Sequence, residues 1–417
     1  MNGAEHFSAV VWIVSAATIL AMLARPRGLS EAWWACGGAL LLLALGRISP
    51  GAALTAAGAG VQVYLFLAGM MLLAELAREE GVFDWIAGAA VRRARGSCAR
   101  LFLLVYLAGV GVTVLLSNDA TAVVMTPAVL AAVRRARVEP RPHLLACAFV
   151  ANAASFVLPI SNPANLVVFG NRLPPLREWI ARFGVSALAA VAATFLALRL
   201  VERAELGESI APDDLAPALS PRGRRTLAGL LASAAALVAV SLRGGALGTA
   251  TAIAGVATAL LVHGRRPQGA AAAARHVSWS VLPLVAGLFV LVAALQGAGA
   301  LPLSVAGLHA AARLPRIPGT FAVGCGSGLL ANVMNNLPIG LMAAGAIRAA
   351  HPPLHLASAA LIGVDLGPNL SVTGSLATIL WLIALRREGV EVSAGRFLRI
   401  GAVVMPLALA AGLLGLG

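Results

Sequence analysis

Two runs of hydrogen-bonding residues interrupt apolar sequence: Ser117-Asn118-Asp119-Ala120-Thr121 in the first half and Met334-Asn335-Asn336-Leu337-Pro338 in the second. Polar groups are tolerated at membrane depth only where they are buried in protein or line a cavity, because lipid offers them no hydrogen bonds. Asp119 is the group in the first run that can take up and release a proton. A charge near mid-membrane costs at least about 2.5–3.5 kcal/mol on insertion scales, so Asp119 is expected to face a polar cavity or to be protonated. Capping the free N–H groups of the following helix is the plainer role, and it is compatible with titration. Asp365 is the second candidate, in Gly363-Val364-Asp365-Leu366-Gly367-Pro368-Asn369, where Gly and Pro are expected to unwind a helix. Unwound backbone exposes carbonyls and helix ends, the material of transporter solute and ion sites. A structural kink with a solvated Asp is the competing role.

Neutral polar residues gather around the same breaks. Asn152, Ser155, Ser161, Asn162 and Asn165 surround Pro159 and Pro163, and Asn369, Ser371, Thr373, Ser375 and Thr378 follow Pro368. Any one Ser or Thr is explained as well by helix–helix hydrogen bonding. As a set at two breaks and two hairpin tips they point to a cavity for a small polar solute. The expected solute contacts are Asn118, Thr121, Asn162, Asn165, Asn335, Asn336, Asn369, Thr373 and Ser375, with Asp119 and Asp365 as proton-coupling carboxylates. Cys325, in Gly324-Cys325-Gly326-Ser327-Gly328, offers a thiol to a soft solute, although small-residue packing accounts better for such a run. Glu75, beside Arg78, Glu79 and Glu80, is expected at the interface, as are His143 and His355. The sequence contains no GxxxxGK[ST], HExxH or GxSxG motif, so an ATPase or hydrolase is not expected, and no cofactor is implied.

The elements that must position these residues are membrane helices. The 417 residues are 60% hydrophobic and 12% charged, against roughly 25% charged in soluble domains. Their mean hydropathy is +0.89. All 31 basic residues are arginine, and they sit in short loops between apolar runs, so the net charge of +14 implies no nucleic-acid partner. The four cysteines are widely spaced and read as single buried thiols. The first apolar run is followed, not preceded, by arginine, as in a retained helix and not a secretory signal.

Five crossings are expected in residues 1–201, at about 8–24, 30–47, 57–77, 143–170 and 180–200, and five in residues 226–417, at about 226–242, 246–262, 279–297, 355–385 and 397–416. Each half also holds a short amphipathic segment (about 82–93 and 301–312) and a re-entrant hairpin (about 98–135 and 317–348). The acidic, proline-containing segment 202–225 reads as an exposed linker. His143-Leu144 aligns without gaps on His355-Leu356, which sets Pro159–Pro163 against Ser371–Ser375, and Asn118-Asp119 corresponds to Asn335-Asn336. The halves therefore read as an internal repeat. An odd number of crossings per half makes that repeat inverted. Alternating crossings place 23 of the 31 arginines on the linker side, which makes that side cytoplasmic and both termini external.

At these motifs the chain resembles the arsenite efflux permeases of the ion-transporter superfamily. The run DLGPNLSVTGSLATILWLIALRREGVEVSAGRFLRIG at 365–401 carries the most specific similarity. Asn118-Asp119 with Thr126-Pro127, Asn335-Asn336-Leu337-Pro338, and Ser161-Asn162 with Asn165 add to it. One departure is Ala151-Asn152-Ala153-Ala154-Ser155, where typical members place an acidic residue at the second position. The resemblance implies an all-α polytopic protein of a bacterial inner membrane that exports arsenite, and antimonite with it, by proton antiport. With arsenic as the soft solute, the Cys325 thiol read from the sequence becomes a candidate ligand. A soluble arsenite-stimulated ATPase and further copies of the chain are the implied protein partners, besides the lipid bilayer. A same-fold carrier of a carboxylate such as citrate, a Na⁺/H⁺ antiporter, and a membrane subunit that docks the ATPase are the alternatives.

Overall fold

The computed structural model of the chain describes residues 8–170, 173–207, 210, 218–264 and 273–416. Part of the acidic segment, including Glu208, Asp213 and Asp214, lies outside the described residues. The described residues form helices joined by turns and short irregular segments, with no strand. Seven helices are long and apolar enough to cross a membrane: Val61–Glu79, Cys98–Leu115, Leu176–Val201, Pro221–Leu242, Val281–Ala312, Arg316–Met334 and Ala394–Leu414. Ala9–Ala24, Glu31–Ala44 and Leu247–His263 are shorter apolar helices. Large side chains such as Ile13, Leu40, Leu188 and Ile253 point outward on these elements, as an apolar solvent requires.

Local sequence explains where the helices begin. Ser97, Ser220 and Ser393 accept the N–H groups of Arg100, Gly223 and Arg396 as N-caps. Pro50, Pro140, Pro163 and Pro221 occupy the first helical position, where the missing N–H costs nothing. The run expected at 57–77 starts at Val61, because Gly60 separates it from a short helix, Pro50–Ala59.

Two pairs of consecutive helices form hairpins. Cys98–Leu115 and Thr126–Arg135 are joined through a tip and a π-helical stretch, Ala120–Met125. The start of this hairpin meets the end of Leu176–Val201: Gly96 O accepts the Ile210 N–H at 3.0 Å, and the Cys98 thiol lies 3.6 Å from Glu205 O. Its far end returns to the same place, since Arg141, just beyond Arg135, pairs with Glu202 and Glu205. The second hairpin, Arg316–Met334 and Asn336–Ala350, opens at the other end of that long helix. Arg316 and Leu354 share a surface cleft with Glu178 and Arg182, and His351 shares another with the same two residues. A helix of 26 residues spans about 39 Å, so the two hairpins enter from opposite ends of the molecule.

Two further helices are broken: Pro140–Ala153 resumes at Pro163–Phe169, and Leu354–Leu366 resumes at Leu376–Arg387. Both breaks are buried or half-buried along their length, which is the condition for irregular backbone at membrane depth. The unbroken helices pack closely through small residues. Val61–Glu79 lies on Leu247–His263 with Gly69 against Thr251 and Gly255, and Glu31–Ala44 lies on Val281–Leu295 with Gly287 against Ala35.

Three charged or polar residues differ from expectation. Glu202, at the start of the linker segment, is 4% exposed because Arg141 covers it. Glu75 is also buried, held by the Arg78 guanidinium through two hydrogen bonds. His143 is fully buried instead of interfacial, with its ring edge-on to Phe102 at 6.1 Å.

Candidate functional site

The two hairpin tips and the two helix breaks converge on one small cavity. Asn118 and Asp119 come from the first tip, Asn336 from the second, Asn162 from the first break, and Leu376 and Ala377 from the restart of the second. The cavity leaves about 10 Å³ for the centre of a water-sized sphere, room for about one water molecule. Its polar wall is amide and carboxylate; no arginine or histidine lines it among the described residues.

Each tip is built from its own sequence. In the first, the Ser117 hydroxyl accepts the Ala120 N–H at 3.2 Å and Asn118 Oδ1 accepts the Asp119 N–H at 3.0 Å. Asp119 makes no side-chain cap, so its carboxylate is left for the cavity. Ser117 does the capping expected of Asp119. In the second tip, Asn335 adopts φ 76° and ψ 155°, a conformation otherwise nearly confined to glycine and worth about 1–3 kcal/mol of strain. Neighbouring groups hold it there: Asn335 Nδ2 donates to Thr373 O at 3.3 Å, and the Asn336 N–H donates to Gly374 O at 2.9 Å. The second tip is thus stitched to the second break. Asn336 is buried, and its Oδ1 has no protein partner.

Asn162 and Ser375 cap the resumed helices, accepting the N–H groups of Ala164 at 3.0 Å and Thr378 at 3.1 Å. Across the two breaks, Asn162 Nδ2 donates to Asp365 Oδ1 at 2.8 Å. Asp365 is fully buried, and its Oδ2 has no partner. A second link joins the other halves of the broken helices. Asn152 Nδ2 donates to Asn369 Oδ1 at 3.0 Å and Thr378 Oγ1 at 3.3 Å, while Asn369 Nδ2 donates to Phe149 O at 3.1 Å.

Of the expected solute contacts, Asn118, Asn162 and Asn336 line the cavity beside Asp119. Asn335 borders an adjoining apolar seam with Met22, Glu31 and Met334. The others serve the framework. Thr121 shares a hydrogen bond with Thr113 inside the first hairpin at 2.8 Å. Asn165 satisfies the broken backbone by donating to Ser155 O at 2.8 Å and Leu158 O at 3.2 Å. Thr373 donates to Asn332 O at 2.9 Å. Cys325 is half-buried on the arm Arg316–Met334 and does not line the cavity.

Asn332 escaped the sequence reading. Its amide donates to Gly328 O and Gly367 O, both at 2.8 Å, and its Oδ1 accepts the Ser371 hydroxyl at 2.7 Å. The available signal was a lone amide about one turn before the hairpin tip in an otherwise apolar arm.

A multi-pass helical membrane protein whose hairpin tips and broken helices enclose a polar cavity has the construction of a membrane transporter. Residues 10–367 match the citrate transporter family (CitMHS), and the chain belongs to that family. It is 27% identical over 413 residues to the arsenical pump membrane protein of Escherichia coli K12, with 93% of each chain covered. It is 28% identical over 404 residues to the arsenical pump membrane protein of Yersinia enterocolitica, again with 93% of each covered. Among solved structures, the Alcanivorax borkumensis YdaH transporter superposes with a TM-score of 0.56 at 17% identity, covering 90% of this chain and 87% of that one. Neisseria gonorrhoeae MtrF, described as illuminating a class of antimetabolite efflux pumps, superposes at 0.53 and 11% identity, covering 100% and 95%. These two likenesses concern the fold.

Proposed function

We propose that the chain exports arsenite, and antimonite with it, from the cytoplasm across a bacterial inner membrane by exchange for protons. The observation that carries this reading is the cavity wall. Three carboxamides, one carboxylate and no cation suit a small neutral triol such as arsenous acid, and the names of the related arsenical pumps agree with it. A tricarboxylate such as citrate, which the family's description would suggest, needs counter-charges that this wall lacks. A neutral solute gains nothing from the membrane potential, so its export needs a coupled ion. Asp119 on the wall and Asp365 behind Asn162 are the carboxylates placed to carry it. With room for about one water, the cavity must widen to admit solute, and the hairpin tips with the resumed helices are the elements to move.

Arsenite uptake into everted membrane vesicles with an acidic interior tests the function. Uptake that collapses with a proton uncoupler is expected. Uptake that persists with the uncoupler but requires ATP and a soluble ATPase would replace antiport with a docked pump.

The inverted repeat belongs to the same reading. In support, the third crossing of the first half packs on the second of the other, the second packs on the third, and the hairpins open at opposite ends. Cysteines introduced at the exposed residues Arg47 and Arg203 are therefore expected to label from opposite sides of the membrane, Arg203 from the cytoplasm. Labelling of both from one side would remove the topology.

A further inference from the structure

We infer that Asn162 is the residue through which the charge on Asp365 controls the cavity, a positioning residue that ties one wall of the site to the buried carboxylate more firmly when that carboxylate is ionised than when it is protonated. The inference deepens the proton-coupled reading and rests on it for the role of Asp365.

The geometry assigns Asn162 three places at once. Its Oδ1 accepts the Ala164 N–H at 3.0 Å, which fixes the amide so that Nδ2 faces Asp365, and Nδ2 donates to Asp365 Oδ1 at 2.8 Å. The same residue lines the cavity between Asp119 and Asn336. Asp365 itself does not reach the cavity wall, and the side chains that bear on it are Ser155 and Asn162. Its Oδ2, buried without a partner, is the atom left for a proton.

A hydrogen bond from an amide to a carboxylate is roughly twice as strong as one to a neutral carboxyl group. Protonation at Oδ2 therefore leaves the contact in place but weakens it. The helix Pro163–Phe169, which Asn162 caps, is then held less firmly to the second broken helix. The other link between the broken helices, Asn152 to Asn369 and Thr378, joins neutral groups and does not respond to pH. One link is thus fixed and one titrates.

No other charge on the surrounding elements competes for Asp365. Pro140–Ala153, Pro163–Phe169, Leu301–Ala312, Arg316–Met334, Asn336–Ala350 and Ala394–Leu414 pack around its helix. Arg141, Arg316, Arg348, Arg396 and Arg399 lie toward the ends of these elements. His143, Cys147, His309 and Cys325 are their remaining titratable groups, His355 lies at the far end of the helix of Asp365, and Asp119 faces the shared cavity from the first hairpin.

Asn162→Ser separates the two roles. Serine is as good an N-cap as asparagine, so the helix Pro163–Phe169 keeps its start, but the hydroxyl is too short to keep the contact with Asp365. The readout is independent of solute: the rate at which a thiol reagent labels Ala377→Cys in the cavity wall, as a function of pH, after subtracting the signal of the full-length chain without that cysteine and dividing by the rate for the same cysteine in the denatured chain at each pH, which removes the reagent's own dependence on thiolate. The parent chain is expected to show a pH-dependent rate, and both Asn162→Ser and Asp365→Asn are expected to flatten it. A profile that is flat in the parent, that survives Asp365→Asn, or that Asp365→Asn flattens while Asn162→Ser preserves it, overturns the inference. The flattening should also appear with Asn162→Gly, a second capping residue with no side chain to reach Asp365. Lack of arsenite transport by a parent chain with an intact pH profile would instead remove the arsenite reading alone.

Discussion

Asp365→Asn is expected to abolish the response of arsenite uptake to an acidic vesicle interior while leaving arsenite exchange in the absence of a gradient. The amide keeps the size of the carboxyl group and its contact with Asn162, but it cannot titrate. By linkage, a solute that favours the ionised form must bind the protonated form more weakly by the same factor that it shifts proton binding. The variant is fixed in the neutral form, so its affinity is expected to stay at the parent's low-pH value. Couplings of this kind amount to about 5–150-fold, which a pH series of exchange rates resolves. Asp119→Asn is expected to show the same loss of gradient response, with a larger effect on affinity because Asp119 is on the cavity wall. Normal gradient-driven uptake by both single variants would take the coupling proton away from these residues.

Gly367→Leu is expected to lower thermal stability and to end transport, by forcing the second hairpin away from the second broken helix. Gly324 and Gly328 on the hairpin arm face Gly363 and Gly367 on the broken helix, and each pair is four residues apart on one helical face. A Cβ at Gly363 would lie 2.2 Å from Gly324 O, and one at Gly367 would lie 2.4 Å from Gly328 Cα. Both opposing atoms are backbone, so the helices must separate. Overpacking of this kind costs about 1–3 kcal/mol. Separation also breaks the Asn332 bonds to Gly367 O and to the Ser371 hydroxyl, and Thr373 then no longer holds Asn335 in its strained conformation. Gly326→Leu is the control, because a Cβ there meets nothing within 4 Å. A thermal-unfolding midpoint and uptake rate equal for Gly367→Leu, Gly326→Leu and the parent chain would show that the close contact does not position the tip.

The Gly324-Cys325-Gly326-Ser327-Gly328 run illustrates how far residue type alone carries. Small-residue packing was readable from the run, and the contact with Gly363 and Gly367 gives it a partner. Which face of that helix met the partner, and that Cys325 pointed away from the cavity, depended on the angle at which the arm crosses its neighbour.

By itself the sequence determined a polytopic helical membrane protein, the hairpins and the broken helices. Hydrophobic run length, proline and glycine at the interruptions, and serine before the helices are local signals, and lipid leaves the backbone few other choices. It also marked Asp119 and Asp365, since a carboxylate in an apolar run is costly wherever it lies. The tertiary structure decided the division of labour among the polar residues. Asn118, Asn162 and Asn336 reach one cavity, while Thr121, Asn165, Asn369 and Thr373 spend their hydrogen bonds on the framework. Asn332 became visible only through its partners on the second break, 35 and 39 residues further along the chain. Amides in a sequence look alike; which of them faces solute and which satisfies a broken helix is fixed by whichever unpaired backbone group the fold brings within 3 Å or so.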